Sequence, residues 1–300
     1  MGAVIVVRLR LHRYSFLGNC EVAQCGDNLY GHAQAMIDRK QFEALDTREI
    51  SSFIFHPRRE WTPAPHNASD HSIPTHDNAT LVCRFYSVTR GAPSVLFFHG
   101  NGEIACDYDW IAPMFSEMQL NLFVVDYRGY GASSGAPCFT AMLADAEVVF
   151  SYFCEMLELR GYDSDIFLMG RSLGSTPAIM LAHDHADVIK GLVVESGFGS
   201  PSRLLAQLGM PLESDKITAV EKASSQLVKN LSVPILLLHG VEDNVVPYLE
   251  AERLNEEIGS TEKTLIPIHR AGHNNILTVG EYRYFWALDN FVAGKTKKTQ

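Results

Sequence analysis

Short, unbroken apolar runs alternate with helical segments through the second two-thirds of the chain. A parallel sheet covered by helices buries both faces of its strands, so such strands are apolar at successive positions. This alternation predicts an α/β fold with a mostly parallel sheet. The runs are residues 94–98, 122–125, 166–169, 191–195, 235–238 and 264–268. The predicted helices cover residues 108–117, 141–159, a segment starting at 175, 215–228 and 282–292.

The segment before this alternating region contains fewer clear elements. Two β-rich runs lie there, at residues 52–55 and 81–86. The stretch between them, 57–78, is rich in Pro, His and Asn and contains His66, His71 and His76. Imidazole is a common metal ligand, but no cysteine and no helical i, i+4 pair accompanies these histidines. We therefore predict a loop with solvated histidines and no metal site.

A Gly-x-Ser-x-Gly pattern follows the apolar run 166–169 and places Ser172 between Gly170 and Gly174. In a nucleophile elbow, a strand turns sharply into a helix and lifts the serine hydroxyl clear of the sheet. Glycine is needed on both sides because the turn brings chain segments too close for a β-carbon. Ser172 is therefore the predicted nucleophile.

A general base and an acid are expected at the carboxyl ends of other strands, where ligands bind in open α/β sheets. Asp243 follows the run 235–238, and His273 lies in a glycine-containing loop after the run 264–268. His273 can fold back over the sheet and take the proton of Ser172. Asp243 can hold the imidazole in the required tautomer and stabilise its charged form.

Other polar residues compete for these roles. Glu195, at the end of another strand, is the second candidate for the acid. His269 sits at a strand end and should be less free to reach the serine, and His99 is interpreted as a structural loop residue. Ser133 and Ser134 lack a strand-to-helix turn, so they are poor nucleophile candidates.

The sequence His-Gly-Asn-Gly-Glu, residues 99–103, follows the run 94–98 and is called the oxyanion loop below. Its glycines allow backbone N–H groups to point at a substrate oxygen. We predict that the N–H groups of Asn101 and Leu173 form the oxyanion hole, where a fixed donor contributes about 2.7–4 kcal/mol. A glycine-rich loop after the run 122–125 carries Asp126 and Arg128, which we expect to bond locally as scaffolding.

Composition limits the function further. The 300-residue chain has a net charge of −10 and 46% hydrophobic residues, which argues against a nucleic-acid surface. Its apolar runs are too short to cross a membrane. Six scattered cysteines without a C-x-x-C pair predict reduced thiols and a cytoplasmic location. No feature indicates the oligomeric state.

The length predicts one main domain. We assign it to residues 51–293, with an N-terminal extension over residues 1–50 and a basic tail over residues 294–300. Met36 is a candidate alternative start within the extension.

The region that would cover the site, residues 197–231, is short and has room for little more than a connecting helix. We predict a minimal cap and an open site. The region contains a group of large apolar residues that either line an acyl pocket or belong to the core. They are Leu204, Leu205, Leu208, Met210 and Leu212.

Several motifs together resemble the serine α/β-hydrolase superfamily. They are His-Gly-Asn-Gly-Glu, Asp-Tyr-Arg-Gly-Tyr-Gly, Gly-Arg-Ser-Leu-Gly, His-Gly-x-Glu-Asp-x-x-Val-Pro and Ala-Gly-His-Asn. The chain looks most like the branch of α/β-hydrolase-domain proteins that includes protein depalmitoylases, and it is similar to monoacylglycerol lipases in the oxyanion loop. Residues 1–50 depart from the depalmitoylases, because they lack a dense cysteine cluster.

The resemblance implies an eight-stranded, mostly parallel sheet and an acyl-enzyme mechanism. It implies Ser172 as nucleophile, Asp243 as acid and His273 as base, in the chain order of this superfamily. It also implies Asn101 and Leu173 as oxyanion donors. We therefore expect a serine hydrolase of esters or thioesters that acts on a small-molecule or acyl-chain substrate and needs no metal or cofactor. A peptidase or amidase of the same fold and a slow-turnover binding protein are the alternatives.

Overall fold

The computed structural model describes residues 38–163, 165–210 and 214–294. Within these residues, eight strands form one sheet with helices on both faces. The strands are β1 (Ala68–Pro74), β2 (Thr80–Tyr86), β3 (Ser94–Phe98), β4 (Asn121–Val125), β5 (Ile166–Arg171), β6 (Gly191–Glu195), β7 (Ile235–Gly240) and β8 (Lys263–Ile268). The helices are α1 (Arg48–Ile54), α2 (Ala112–Glu117), α3 (Phe139–Arg160), α4 (Ser175–Asp184), α5 (Pro201–Gln207), α6 (Ser214–Lys229), α7 (Tyr248–Glu257) and α8 (Ile276–Val292).

The sheet has the order β1-β2-β4-β3-β5-β6-β7-β8. β2 pairs antiparallel with β1 and β4, and the remaining pairs are parallel. The predicted α/β fold with a mostly parallel eight-stranded sheet is therefore confirmed. β5 lies in the interior of the sheet between β3 and β6, so the residue that follows it emerges at the middle of the carboxyl edge.

The sheet separates two hydrophobic cores. Side chains alternate across a strand, and in β3 this sends Leu96 and Phe98 to one core and Val95 and Phe97 to the other. The first core is completed by α3, α4 and α6, and the second by α2 and α8. Because both faces are covered, the central strands are continuously buried, which explains their unbroken apolar sequences.

The chain before residue 51 already packs on the domain. A short 3-10 helix, Arg39–Leu45, buries Phe42 and Leu45, and α1 buries Ile50 in the same core as α3. The β-rich prediction for residues 52–55 is wrong, because the Thr47 hydroxyl accepts a hydrogen bond from the Ile50 N–H at 3.2 Å and caps a helix there. Residues 1–37, which include Met36, and the tail after Gly294 lie outside the described residues.

The predicted loop with three solvated histidines is also wrong in part, because it contains β1. His66 and His76 are exposed, but His71 of β1 is 3% exposed, and its ring packs against Phe85, Phe123 and Tyr152. One ring nitrogen of His71 contacts the Tyr152 hydroxyl at 2.8 Å, and the other contacts the Ser69 hydroxyl at 2.9 Å. From residue 71 to residue 76, buried and exposed positions alternate strictly, a pattern that the polar composition of the segment hides.

Burial of His71 predicts a measurable loss of stability in acid. Burial, with a smaller contribution from Arg160, lowers the pKa of His71 from 6.5 to about 4. As the pH falls, His71 is therefore protonated in the unfolded chain before it is protonated in the folded protein. Its contribution to the free energy of unfolding is complete above pH 6.5 and is lost as the pH falls from there towards 4. The difference between the unfolded and folded pKa values of His71 corresponds to about 3 kcal/mol of unfolding free energy. In urea unfolding at pH 7.5 and pH 4.5, His71→Gln should remove most of this pH dependence. His76→Gln, at an exposed position, should retain it, and equal pH dependence in the two variants would contradict the assignment.

Candidate active site

Ser172 lies at the turn that joins β5 to the helices that follow. Its backbone has a φ of +50°, in the left-handed region. A β-carbon on Gly170 would lie 2.2 Å from the carbonyl oxygen of Gly174, and one on Gly174 would lie 2.1 Å from that of Phe98. Both flanking positions therefore require glycine, and the serine hydroxyl is held in a strained turn at the carboxyl edge of the sheet.

The structure brings Ser172, His273 and Asp243 together. His273 Nε2 is 3.0 Å from Ser172 Oγ, and His273 Nδ1 is 2.7 Å from Asp243 Oδ2. Asp243 follows β7, and His273 follows β8 in the loop before α8. In this geometry an imidazole can take a proton from the hydroxyl while the carboxylate accepts the hydrogen bond of the other ring N–H.

Backbone donors hold the Asp243 carboxylate in its charged form. Its Oδ1 accepts from the N–H groups of Val245 at 2.9 Å and Val246 at 2.8 Å. Burial acts to raise the pKa of Asp243, but His273 and these two N–H donors hold it below its ordinary value. The side chain is therefore suited to stabilise an imidazolium.

The competing candidates have other partners. Glu195 pairs with Arg171, not with His273. His269 is exposed in the turn after β8, and His99 is buried with its Nε2 3.0 Å from Asp126 Oδ1. The Ser133 hydroxyl accepts from the Val82 N–H of β2 and donates to the Asp126 carbonyl after β4.

The predicted local bond between Asp126 and Arg128 is wrong. Arg128 instead pairs with Asp145 at 2.7 Å and Asp77 at 2.5 Å. The Asp126 carboxylate accepts from the Ala105 N–H at 2.7 Å. Asp126 therefore holds the segment at Ala105, whereas Arg128 joins α3 to the turn between β1 and β2.

The oxyanion loop is held at several points. The side-chain Oδ1 of Asn101 accepts from the His56 N–H at 2.8 Å and from the Tyr130 hydroxyl at 2.7 Å. The Gly100 N–H donates to the Glu103 carboxylate at 2.8 Å. Leu173 lies in the 3-10 helix that continues into α4, where backbone N–H groups and the helix dipole favour negative charge. The oxyanion role of Asn101 and Leu173 stays a prediction.

An apolar cavity opens beside Ser172. Asn101 and Ser172 are its polar lining residues, and its walls come from α1, α3, α5 and the loop after β7. Leu204, Leu205 and Leu208 of the cap region line it. Among the described lining residues none is acidic or basic.

The rest of the predicted Leu/Met group lies elsewhere. Met210 packs against the core, and Leu212 is outside the described residues. The interpretation as a pocket lining therefore fits the three leucines, and the interpretation as core fits Met210. The region 197–231 contains α5 and α6, and α6 agrees with the predicted helix at 215–228.

A buried ionic cluster under the site was missed in the sequence. Arg171 donates to Glu103 at 2.6 Å, to Glu195 at 3.0 Å and to Asn274 at 3.2 Å. An arginine directly before Ser172, at the end of an apolar strand, is the signal that could have pointed to it, because such a cation requires buried partners.

Two classes of feature are not found in the part of the chain that the structure describes. No group of His, Cys, Asp or Glu side chains there has an arrangement that could hold a metal ion. No helix there combines the length and apolar character that a bilayer crossing requires.

The mostly parallel sheet, the turn at Ser172 and the site at the strand ends define an α/β-hydrolase. The family model described as serine aminopeptidase, S33, matches residues 91–219 and 214–277, which is more than half of the chain. The chain therefore belongs to this family of hydrolases.

Similar proteins include both curated relatives and solved structures. The chain is 27% identical over 205 residues to protein bem46 of Schizosaccharomyces pombe, with 67% of each chain covered. It is 26% identical over 209 residues to α/β-hydrolase domain-containing protein 17B of Homo sapiens, covering 67% of this chain and 68% of that protein.

Two solved structures share the fold. The esterase Pf2001 of Pyrococcus furiosus has a TM-score of 0.65 at 17% identity, covering 80% of this chain and 98% of the esterase. A monoacylglycerol lipase of Paleococcus ferrophilus has a TM-score of 0.55 at 19% identity, covering 73% of this chain and 100% of the lipase.

The close contact at the turn predicts that Gly174→Ala is severely destabilising. Its β-carbon would meet backbone atoms of Phe98 that cannot move without displacing β3. We expect a large fall in melting temperature or loss of folded protein. Gly91→Ala is the matched control, because a β-carbon there meets no atom within 4 Å and the backbone φ is not positive. Equal melting temperatures for the two variants would contradict the described turn.

Proposed function

We propose that the protein hydrolyses a carboxylic ester or thioester through an acyl-enzyme on Ser172. The observation that carries this proposal is the continuous hydrogen-bonded series from Ser172 through His273 to Asp243, at 3.0 Å and 2.7 Å. The strained turn at Ser172 and the adjacent apolar cavity support it. Membership of a hydrolase family is consistent with the same chemistry.

The first half of the reaction forms the acyl-enzyme. Ser172 Oγ attacks the carbonyl carbon while its proton passes to His273 Nε2, and Asp243 stabilises the resulting imidazolium. The N–H groups of Asn101 and Leu173 hold the negative oxygen of the tetrahedral intermediate. When the intermediate collapses, the bond to the alcohol or thiol breaks, and the leaving group takes the proton from His273.

The second half repeats these steps with water. His273 removes a proton from a water molecule, whose oxygen attacks the acyl carbon. The second tetrahedral intermediate collapses, Ser172 recovers its proton from His273, and the carboxylic acid leaves. The protein's own side chains supply every proton transfer, so we propose a reaction without a metal or cofactor.

The cavity favours an apolar acyl group. Its walls are hydrocarbon side chains from α1, α5 and the loop after β7, and burial of a hydrocarbon chain against them contributes about 0.8 kcal/mol per methylene. Phe53, Leu208 and Val245 of this lining are 38–44% exposed, so the cavity has an apolar mouth.

An aminopeptidase is the second candidate, because the matching family model carries that name. An aminopeptidase must also bind the charged α-amino group of its substrate, for which a carboxylate close to the nucleophile is the expected partner. None of the described residues that line the cavity beside Ser172 is acidic. The ester or thioester is therefore the preferred substrate class, and turnover of aminoacyl p-nitroanilides above that of p-nitrophenyl esters would favour the peptidase.

We also propose a reducing, cytoplasmic location. Cys83, Cys106, Cys138 and Cys154 are free thiols in the structure. Free thiols persist where glutathione and thioredoxin keep them reduced.

Replacing the nucleophile tests the proposed function. Ser172→Ala should reduce hydrolysis of p-nitrophenyl butyrate by about 10⁴-fold or more, because removal of the nucleophile stops acyl-enzyme formation. It should also abolish labelling by a fluorophosphonate probe at an unchanged melting temperature. Ser116→Ala is the matched control, since that hydroxyl donates to the Ala112 carbonyl within α2, away from the site. Wild-type turnover or labelling in Ser172→Ala would refute the proposal.

Acyl-chain selectivity tests the role of the cavity. Leu208 is 44% exposed at its mouth, so Leu208→Glu can be accommodated without burying the charge fully. We expect kcat/KM for a p-nitrophenyl octanoate to fall about tenfold and that for the acetate to change less than about twofold. Leu249→Glu, at a 49% exposed position outside the cavity lining, should change neither. Equal losses on both esters in Leu208→Glu would place the acyl chain elsewhere.

A further inference from the structure

Arg171, the residue directly before the proposed nucleophile, is a buried cation. It is 8% exposed, precedes Ser172, and ends β5. Its guanidinium donates to three groups, Glu103 Oε1, Glu195 Oε1 and Asn274 Oδ1, each on a different segment. Guanidinium groups have a rigid planar set of donors, so bonds to several acceptors fix their relative positions.

The bond to Glu103 reaches the oxyanion loop. The second carboxylate oxygen of Glu103 accepts from the Gly100 N–H and from the Tyr108 hydroxyl, both at 2.8 Å. One carboxylate therefore links the guanidinium to the backbone that precedes Asn101. A movement of Arg171 would be transmitted to the loop on which the oxyanion donor is proposed.

The bond to Asn274 reaches the loop of the general base. Asn274 directly follows His273, and its side-chain oxygen accepts from Arg171 Nη2 at 3.2 Å. A second bond, from the Gly272 N–H to Asn275 Oδ1 at 2.7 Å, closes the same loop on itself. Among these contacts, the one through Asn274 connects the loop to β5, the strand that ends directly before Ser172.

Glu195 fixes the guanidinium from the other side. Its Oε2 accepts from the Tyr284 hydroxyl of α8 at 2.6 Å. Burial raises the pKa of Glu195 even though Arg171 and Tyr284 oppose this effect. Burial also acts to raise the pKa of Glu103, but Arg171 holds it below its ordinary value. The contact of Arg171 with Glu103, at 2.6 Å, is also shorter than that with Glu195, at 3.0 Å, so Glu103 is the main counter-ion of Arg171.

We propose that Arg171 is a positioning residue that sets the spacing of nucleophile, oxyanion loop and general base through Glu103 and Asn274. Its role rests on the proposed function, because it acts on groups to which that function assigns the chemistry. Reaction rates depend steeply on such spacing, and a displacement of about 1 Å can reduce a rate about 100-fold. The side chain is not among the residues that line the cavity beside Ser172, so it acts through the loops that it holds.

Asn274→Ala is the cleanest variant for the test, because Asn274 is exposed and its loss leaves no buried charge unpaired. We expect kcat for p-nitrophenyl acetate to fall about tenfold, because a displacement of the His273 loop by less than about 1 Å already reduces the rate. KM and the melting temperature should stay at wild-type values. Asn290→Ala, whose side chain bonds within α8 to the Trp286 carbonyl, is the matched control and should retain wild-type kcat.

Coupling between the two arms gives a readout that a purely structural role would not move. Glu103→Gln removes the main counter-ion of Arg171, so Asn274→Ala should cost less in that background than in the wild type. Additive losses in the double variant would overturn the common role of Arg171. Arg171→Lys should also have a kcat below that of the wild type, because a single ammonium cannot bridge the same acceptors.

The two proposals fail in distinguishable ways. Retained turnover in Ser172→Ala would remove the proposed function itself. If turnover depends on Ser172 but Asn274→Ala keeps wild-type kcat, the function stands and the positioning role of Arg171 is overturned.

Discussion

The close approach of the turn at Ser172 to the end of β3 is the constraint on which the site depends. Gly174 lies against the carbonyl of Phe98 with no room for a β-carbon. This contact joins the segment of Ser172, the proposed nucleophile, to the strand that leads into the oxyanion loop. The strain in the Ser172 backbone is maintained because β5 is held on both sides by parallel neighbours and covered on both faces.

Charged side chains also hold the segments around Ser172 in place. The Asp243 carboxylate is kept charged by backbone N–H groups and faces the proposed base. On the other side, a buried guanidinium is balanced by carboxylates and connects the oxyanion loop, the end of β6 and the loop after β8. Buried charges of this kind cost desolvation energy unless they are paired, so their placement under the site indicates a role in fixing its geometry.

Local patterns in the sequence predicted the parts of the molecule that depend on local physics. The central strands, the turn at Ser172 and the loops of Asp243 and His273 follow from apolar runs and the glycines and polar residues after them. β1 and α1 were missed because polar residues hide the alternation around His71, and because the N-cap at Thr47 outweighs the β-rich composition after it. The bonds of Arg171 span 24 to 103 residues in the chain, so no local pattern contains them.

The central claim is that Ser172 carries the acyl group during turnover, and mass spectrometry of the intact protein tests it most directly. Wild-type protein mixed with a slowly deacylated p-nitrophenyl ester and quenched in acid should gain the mass of one acyl group. Peptide mapping should place that mass on Ser172. Turnover with the acyl group on another residue, or with no acylated protein under conditions that accumulate an intermediate, would contradict the account.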